Sequence, residues 1–219
     1  MEMGLVNLYP LPLVIDDNKV IFHDYEEHLR YVYSHEFSWS YYDDIVANNE
    51  SLQKWNKNKT NFPSTSAIFK HKNALNQCDL SQINLELDKE FEEINTTLPV
   101  GQKLFRVTKL EDVPVTPSIY YMPTSPFPNV YVNGQYAISL VLTIKSPGIR
   151  CYYYGDNTDV SQPDDDADNS ICEWEVLLQR GLSFTETKRY MIPEETKFGN
   201  TIISREERTI IELDVSKPI

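Results

Sequence analysis

The chain has 219 residues, 41% hydrophobic and 24% charged, a length and mix that support a buried core without staples and argue against a disordered chain. Its formal charge of −13 repels a phosphate backbone, which argues against broad nucleic-acid binding and favours encounter with basic proteins. Only 7 glycines are present, with neither G-x-G-x-x-G nor a Walker-type lysine loop, so a Gly-rich nucleotide-binding fold is disfavoured.

Residues 1–22 read as an extended lead-in punctuated by proline, with a short strand at Leu13–Ile15 or Lys19–Phe22. The apolar run Leu11 to Ile15 is too short for a signal core, and nothing reaches transmembrane length, so no membrane partner is expected. From His23 to about Lys57 the pattern turns helical. Tyr25, Leu29, Val32 and Tyr33 recur at three- and four-residue steps, and a second helical stretch runs from near Phe37 through Tyr41, Ile45 and Leu52. Asn56 to Ser66 is polar, contains Pro63 and reads as a loop. Asp79 or Ser81 is placed to cap a further helix carrying Ile83, Leu87, Phe91 and Ile94.

After Pro99 the texture changes to runs rich in Val, Ile, Thr, Tyr and Phe. Strands are expected at Lys103–Thr108, Tyr131–Lys145, Arg150–Tyr154, Glu173–Leu178, Leu182–Tyr190 and Thr209–Val215. Long strand–helix–strand crossovers are lacking, which disfavours a doubly wound parallel sheet and leaves an α+β class, helices first and mainly antiparallel strands after. Asp156, Asp159, Asp164, Asp165, Asp166 and Asp168 form a biased acidic segment, read as a solvated loop or as a lip that attracts a cationic substrate. The cysteines Cys78, Cys151 and Cys172 are odd in number and not closely paired, which points to reduced thiols and a cytoplasmic setting, inside a host cell or the cell of origin. Acids beside Cys172 disfavour its thiolate and argue against a nucleophile there. His23, His28 and His35 lack the H-x-x-x-H spacing of a helical metal site, so no metal is expected and packed or solvated imidazoles are the simpler reading.

The most informative stretch is Glu173-Trp174-Glu175-Val176-Leu177-Leu178-Gln179-Arg180-Gly181. In a strand, residues two apart share a face, so Glu173 and Glu175 would point into one space and Trp174 away from it. Carboxylates crowded together raise one another's pKa, which a protein tolerates where the site binds or reacts. An exposed, merely solvated pair of acids is the bland alternative.

This stretch resembles the E-x-E strand of mono-ADP-ribosyltransferases, with its apolar run and Arg-Gly turn. Val141-Leu142-Thr143-Ile144-Lys145-Ser146-Pro147-Gly148 is similar to the family's preceding strand and Pro-Gly turn, and Lys103-Leu104-Phe105-Arg106 resembles its aromatic-arginine strand. For the middle Ser/Thr motif, Tyr121-Met122-Pro123-Thr124-Ser125 lies in the right chain order, although Pro123 stands where the family has serine. Phe62-Pro63-Ser64-Thr65-Ser66 matches in letters but precedes Arg106, and would require Arg30, in a helical pattern, as its arginine. The resemblance implies a region 1–98 of helices packed on a catalytic core, and a core 99–219 with a mainly antiparallel two-sheet ADP-ribosyltransferase-like fold. It implies NAD as substrate, Glu175 as the carboxylate that steadies the ribosyl cation, and Glu173 orienting the nucleophile. It further implies Arg106 clamping the pyrophosphate, and Thr124 and Ser125 positioning Glu175. The implied partner is a target protein with a basic acceptor surface, modified on arginine, as done by bacterial toxins and bacteriophage enzymes. An NAD glycohydrolase and a catalytically silent acidic protein that binds a basic partner are the alternatives.

Overall fold

The computed structural model describes residues 1–15, 17–35, 39–57, 80–114, 116–118, 121–128, 138–155, 174–198 and 201–218. The N-terminal lead-in forms both short strands, β1 (Leu11–Ile15) and β2 (Asn18–Phe22), paired antiparallel with Leu11 opposite Phe22. Asp24 then caps α1 (Tyr25–Ser34). Its carboxylate accepts the Glu27 amide at 2.9 Å, and the Glu27 carboxylate accepts the His23 amide at 2.8 Å, which fixes the start of the helix and the residue leading into it. The expected stripe holds: α1 buries Leu29, Val32 and Tyr33, and also His28. A 3-10 turn at Trp39–Tyr42 leads into α2 (Asp43–Asn48), and Asn49 accepts the Leu52 amide at 3.0 Å to cap α3 (Glu50–Lys57). The helix expected around Leu87 and Phe91 is α4 (Leu80–Glu93); its expected capping residue Asp79 and the loop from residue 58 to Ser66 lie outside the described residues.

The strands form two four-stranded sheets. One has the order β4 (Lys103–Thr108), β6 (Ile138–Ile144), β10 (Thr201–Ser216), β9 (Ser183–Phe198). The other has the order β3 (Thr97–Leu98), β7 (Ile149–Gly155), β8 (Glu175–Leu178), β5 (Met122–Thr124). Between the strands of these two sheets, among the described residues, every pairing is antiparallel except β10 with β6. The chain is therefore α+β, helices first, then a mainly antiparallel two-sheet core. The turn at Pro147-Gly148 follows β6, with Gly148 at φ +72, a region that a side chain would strain.

Three expectations need correction. Strands β9 and β10 run through 16 residues each, well past Leu182–Tyr190 and Thr209–Val215. Their added length is rich in Glu and Arg, which the alternation of apolar residues does not reveal. It is held by cross-strand pairing and by a buried ion pair, Arg208 to Glu194 at 3.0 and 2.7 Å. The two-residue β3 and three-residue β5 are too short to leave a periodic signal. The strand expected from Glu173 starts at Glu175, as described below.

One apolar core runs through both halves of the chain. Leu29, Val32, Leu52 and Trp55 from the helices meet Leu104, Leu140, Val176 and Ile211 from the strands. The Trp55 indole donates to the Gly4 carbonyl at 2.7 Å and packs edge-on against Tyr153. Buried Gln102 serves the lead-in: its side-chain oxygen accepts the Val6 amide at 2.9 Å and its nitrogen donates to the Val6 carbonyl at 3.3 Å. A smaller cluster places Leu87 and Phe91 of α4 against Tyr121, Tyr152 and Leu177 on the outer face of the second sheet.

Candidate active site

Residues that are far apart in sequence meet on three strands. The edge strands of the two sheets, β4 and β5, are joined by one bridge, in which Phe105 and Ser125 exchange both backbone hydrogen bonds at 2.7 and 2.8 Å. Strand β5 in turn pairs with β8, with Thr124 opposite Val176 and Pro123 opposite Leu177. The strand that carries Arg106 and the strand that begins with Glu175 are thus two strand spacings apart, about 10 Å between backbones.

Each side chain there has a structural reason. Arg106 spans from β4 to β5 and donates through Nη1 to the Pro123 carbonyl at 2.9 Å. Thr124 is buried and its hydroxyl donates to the Val176 carbonyl at 2.6 Å. A hydroxyl has one proton to give, so Thr124 acts on the backbone of the glutamate strand and not as a donor to the carboxylate itself. Ser125, also buried, accepts the Phe127 amide at 3.2 Å and so shapes the turn that follows β5. Continuing the β5–β8 register by one step sets Ser125 opposite Glu175. Glu175 is only 6% exposed.

Trp174 changes the picture drawn from a simple strand. It lies in the left-handed region at φ +47, so the pleat begins at Glu175 and does not extend back through Trp174. The alternation that would put both glutamates on one face therefore stops one residue short, and Glu173 lies outside the described residues. A left-handed conformation costs a non-glycine residue roughly 1–2 kcal/mol. Here it goes with burial of the indole, which meets the Phe127 ring edge-on, centroids 6.3 Å apart.

Along β8, Val176 and Leu178 enter the main core, whereas Leu177 faces the α4 cluster. By alternation Glu175 shares the face of Leu177. Helix α4 is tied to this face by a polar cluster that sequence reasoning did not find. Arg180 holds Asp88 with two nitrogens, Nε at 2.8 Å, and Tyr121 donates to the same carboxylate at 2.5 Å. Burial pushes the Asp88 carboxyl up, but the hydrogen bonds from Arg180 and Tyr121 outweigh it and hold it below the usual carboxylate range. Arg180 and Tyr121 lie within the two motifs, but only the fold shows their common partner on α4. The Arg180-Gly181 turn itself forms as expected, with Gly181 at φ +78 and its amide on the Ser118 carbonyl at 2.8 Å.

Arg30 sits exposed on α1, and Phe62 to Ser66, Cys78, Cys172 and the acidic segment 156–168 lie outside the described residues. Cys151 is buried, and burial pushes its thiol well above the usual range. His23 is exposed, His35 stacks on Tyr31, and His28 is sealed in the core. Among the described residues no group of three or more His, Cys, Asp or Glu side chains could hold a metal, and no helix is long and apolar enough to cross a membrane.

No protein-family model matches the chain, and no match is found among curated proteins. Among solved structures the chain is similar to BECa, an ADP-ribosylating toxin of a binary enterotoxin of C. perfringens, solved with NADH. Identity is 13% and the TM-score 0.48, over 80% of this chain and 48% of that one. It is also similar to C3larvin toxin, an ADP-ribosyltransferase from Paenibacillus larvae, at 15% identity and TM-score 0.40, over 84% of this chain and 96% of that one. A third likeness is to C2-I, the enzymatic component of the C2-toxin from Clostridium botulinum, at 12% identity and TM-score 0.44, over 81% of this chain and 47% of that one. The chain spans about half the length of the BECa and C2-I chains. At TM-scores below 0.5 these likenesses carry no weight for the site, which stands on the residues of this chain.

Proposed function

We propose that this chain is a mono-ADP-ribosyltransferase that uses NAD as substrate and transfers ADP-ribose to an arginine of a target protein, releasing nicotinamide. The observation that carries the proposal is the joining of the arginine, Ser/Thr and glutamate motifs, far apart in sequence, into one three-strand seam.

In this reading the bond between the ribose C1′ and the nicotinamide nitrogen breaks, the electron pair leaves with nicotinamide, and positive charge develops on the ribose. The Glu175 carboxylate steadies that charge from a largely buried position, where electrostatic stabilisation is strong. Arg106 offers a fork of donors to the pyrophosphate. A nitrogen of the acceptor arginine attacks C1′ and gives up its proton to Glu173. Thr124 and Ser125 set the strand and turn on which Glu175 depends. The region 1–98 braces a catalytic core of 99–219. The formal charge of −13 suits a basic acceptor surface, and the protein would act in the cytoplasm of a cell, a target host included.

The test is incubation of the chain with NAD labelled in its adenylate half and a cell lysate, beside Glu175→Gln. Labelled protein should appear with the wild type, and Glu175→Gln should lower the rate by about 10²–10³-fold, as for loss of one transition-state stabilising group. Equal rates in both would remove Glu175 from the reaction. Nicotinamide release without labelled protein would select the NAD glycohydrolase, and neither signal would select the silent binding protein.

A further inference from the structure

Buried polar groups in an apolar core call for an explanation, and His28 is fully buried. Both of its ring nitrogens are engaged: Nδ1 lies 2.9 Å from the Tyr9 hydroxyl and Nε2 lies 3.0 Å from the Tyr42 hydroxyl. Its ring stacks on Phe22 at 4.6 Å. The Tyr42 hydroxyl in turn donates to the Pro128 carbonyl at 3.3 Å. A neutral imidazole has one donor and one acceptor. If Tyr42 gives its proton to Pro128, its oxygen accepts from Nε2–H, and Nδ1 accepts from Tyr9. All these groups are then satisfied by one directional chain, with the tautomer assigned from the network.

The chain ends on the segment that follows β5, and from there a line of rings leads to Glu175. Tyr42 stacks on Phe127 at 4.3 Å and 21°, and Phe127 meets Trp174 edge-on at 6.3 Å and 75°. Tyr42, Phe127 and Trp174 are all buried, and Trp174, in its left-handed conformation, immediately precedes Glu175. A purely apolar side chain at position 28 would fill space but could not fix the depth of Tyr42, because dispersion contacts have little directionality. Hydrogen bonds to both sides of the imidazole do.

We infer that His28 is a positioning residue for Glu175, acting through Tyr42, Phe127 and Trp174. This rests on the assignment of Glu175 to the ribose. When Tyr42 loses its anchor, Phe127 is free to shift, the indole of Trp174 loses its stop, and the strained backbone before Glu175 relaxes towards the extended form. The carboxylate then enters β8 at a different angle.

The experiment uses the full chain with 5-fluorotryptophan incorporated, the Trp174 resonance being identified by Trp174→Phe. Tyr42→Phe keeps the ring and removes the hydroxyl; His28→Gln keeps hydrogen-bonding capacity on one side, and carries the same readouts if Tyr42→Phe does not fold. The expected result is a displaced or broadened Trp174 fluorine resonance with that of Trp55 unmoved. The kcat for nicotinamide release should fall roughly ten- to a hundredfold, at a temperature where circular dichroism is native. KM for NAD should stay within about twofold, since Arg106 is untouched. A lowered melting temperature with kcat and the Trp174 resonance unchanged would mean that His28 only fills the core, and the inference falls. A displaced resonance with unchanged kcat also overturns it. If the wild type releases no nicotinamide, it is the assignment of Glu175 that fails, and the coupling is decided by the fluorine resonance alone.

Discussion

The long β9–β10 hairpin and the β4–β5–β8 seam solve the same problem, holding strands in register, by different means. The hairpin pairs neighbours in sequence over 16-residue strands, so that, apart from two register shifts, each residue added brings its own cross-strand partner. The seam joins strands separated by tens of residues through one two-bond bridge, three paired residues and two side-chain bonds to backbone carbonyls. The hairpin holds register by repetition, whereas the seam among the described residues rests on a few distinct contacts. The residues to which we assign chemistry, Arg106, Thr124, Ser125 and Glu175, are on the seam.

The hairpin nevertheless has one vulnerable point. Arg208 is 1% exposed, held by Glu194 and by the face of the Tyr33 ring at 4.3 Å. Arg208→Met leaves the Glu194 carboxylate buried without its partner and should cost about 3–5 kcal/mol in urea unfolding. Adding Glu194→Leu should restore most of that loss. If the single change costs under about 1 kcal/mol, a surface pair's worth, the hairpin is held by repetition alone.

Acid should act through α1, whose His28 is linked by Tyr42 to the segment that follows β5. Burial lowers the His28 pKa to about 3, from an ordinary 6.5. The unfolded chain therefore binds a proton that the folded chain refuses. The stabilisation is complete above pH 6.5 and is lost as the pH falls from 6.5 towards 3, at about 1.4 kcal/mol per unit. Between pH 6.5 and 5 ordinary carboxylates are still ionised, and Asp88, held below its usual range, adds its loss only at lower pH. Urea midpoints over that window should fall in the wild type and flatten in His28→Gln. Amide exchange should quicken first around Ser125 and Phe127, with the hairpin still protected.

Smaller changes sharpen the contrast within the seam. Thr124→Val keeps shape but removes the bond to the Val176 carbonyl, at a cost of about 1 kcal/mol. Its effect on nicotinamide release should exceed its effect on the urea midpoint. Asp88→Asn weakens the clamp from Arg180 and Tyr121. With side chains about one-third exposed, that clamp is screened, so a loss of only about 0.5–1 kcal/mol is expected by thermal melting.

Helix α1 was legible because its stripe repeats at helical spacing, a property of neighbours in sequence, whereas its cap at Asp24 emerged only from the structure. The strands of β4, β6 and β7 were legible from their runs of Val, Ile, Thr, Tyr and Phe, also a property of neighbours in sequence. The order of Arg106, Thr124–Ser125 and Glu175 was legible as a resemblance, and the fold brings their strands together; the chemistry assigned to them is the proposal that labelled NAD tests. What sequence could not supply lies in contacts across the fold. The left-handed turn at Trp174 goes with an edge-on contact between its indole and Phe127, which is distant in sequence. The partner of Arg180 is Asp88 on a distant helix, and the setting of His28 depends on Tyr9 and Tyr42 arriving from either side. Local periodicity and residue chemistry fixed the elements and nominated the glutamate. Only packing, which joins residues without regard to sequence distance, brought the strands of Arg106, Thr124 and Glu175 side by side.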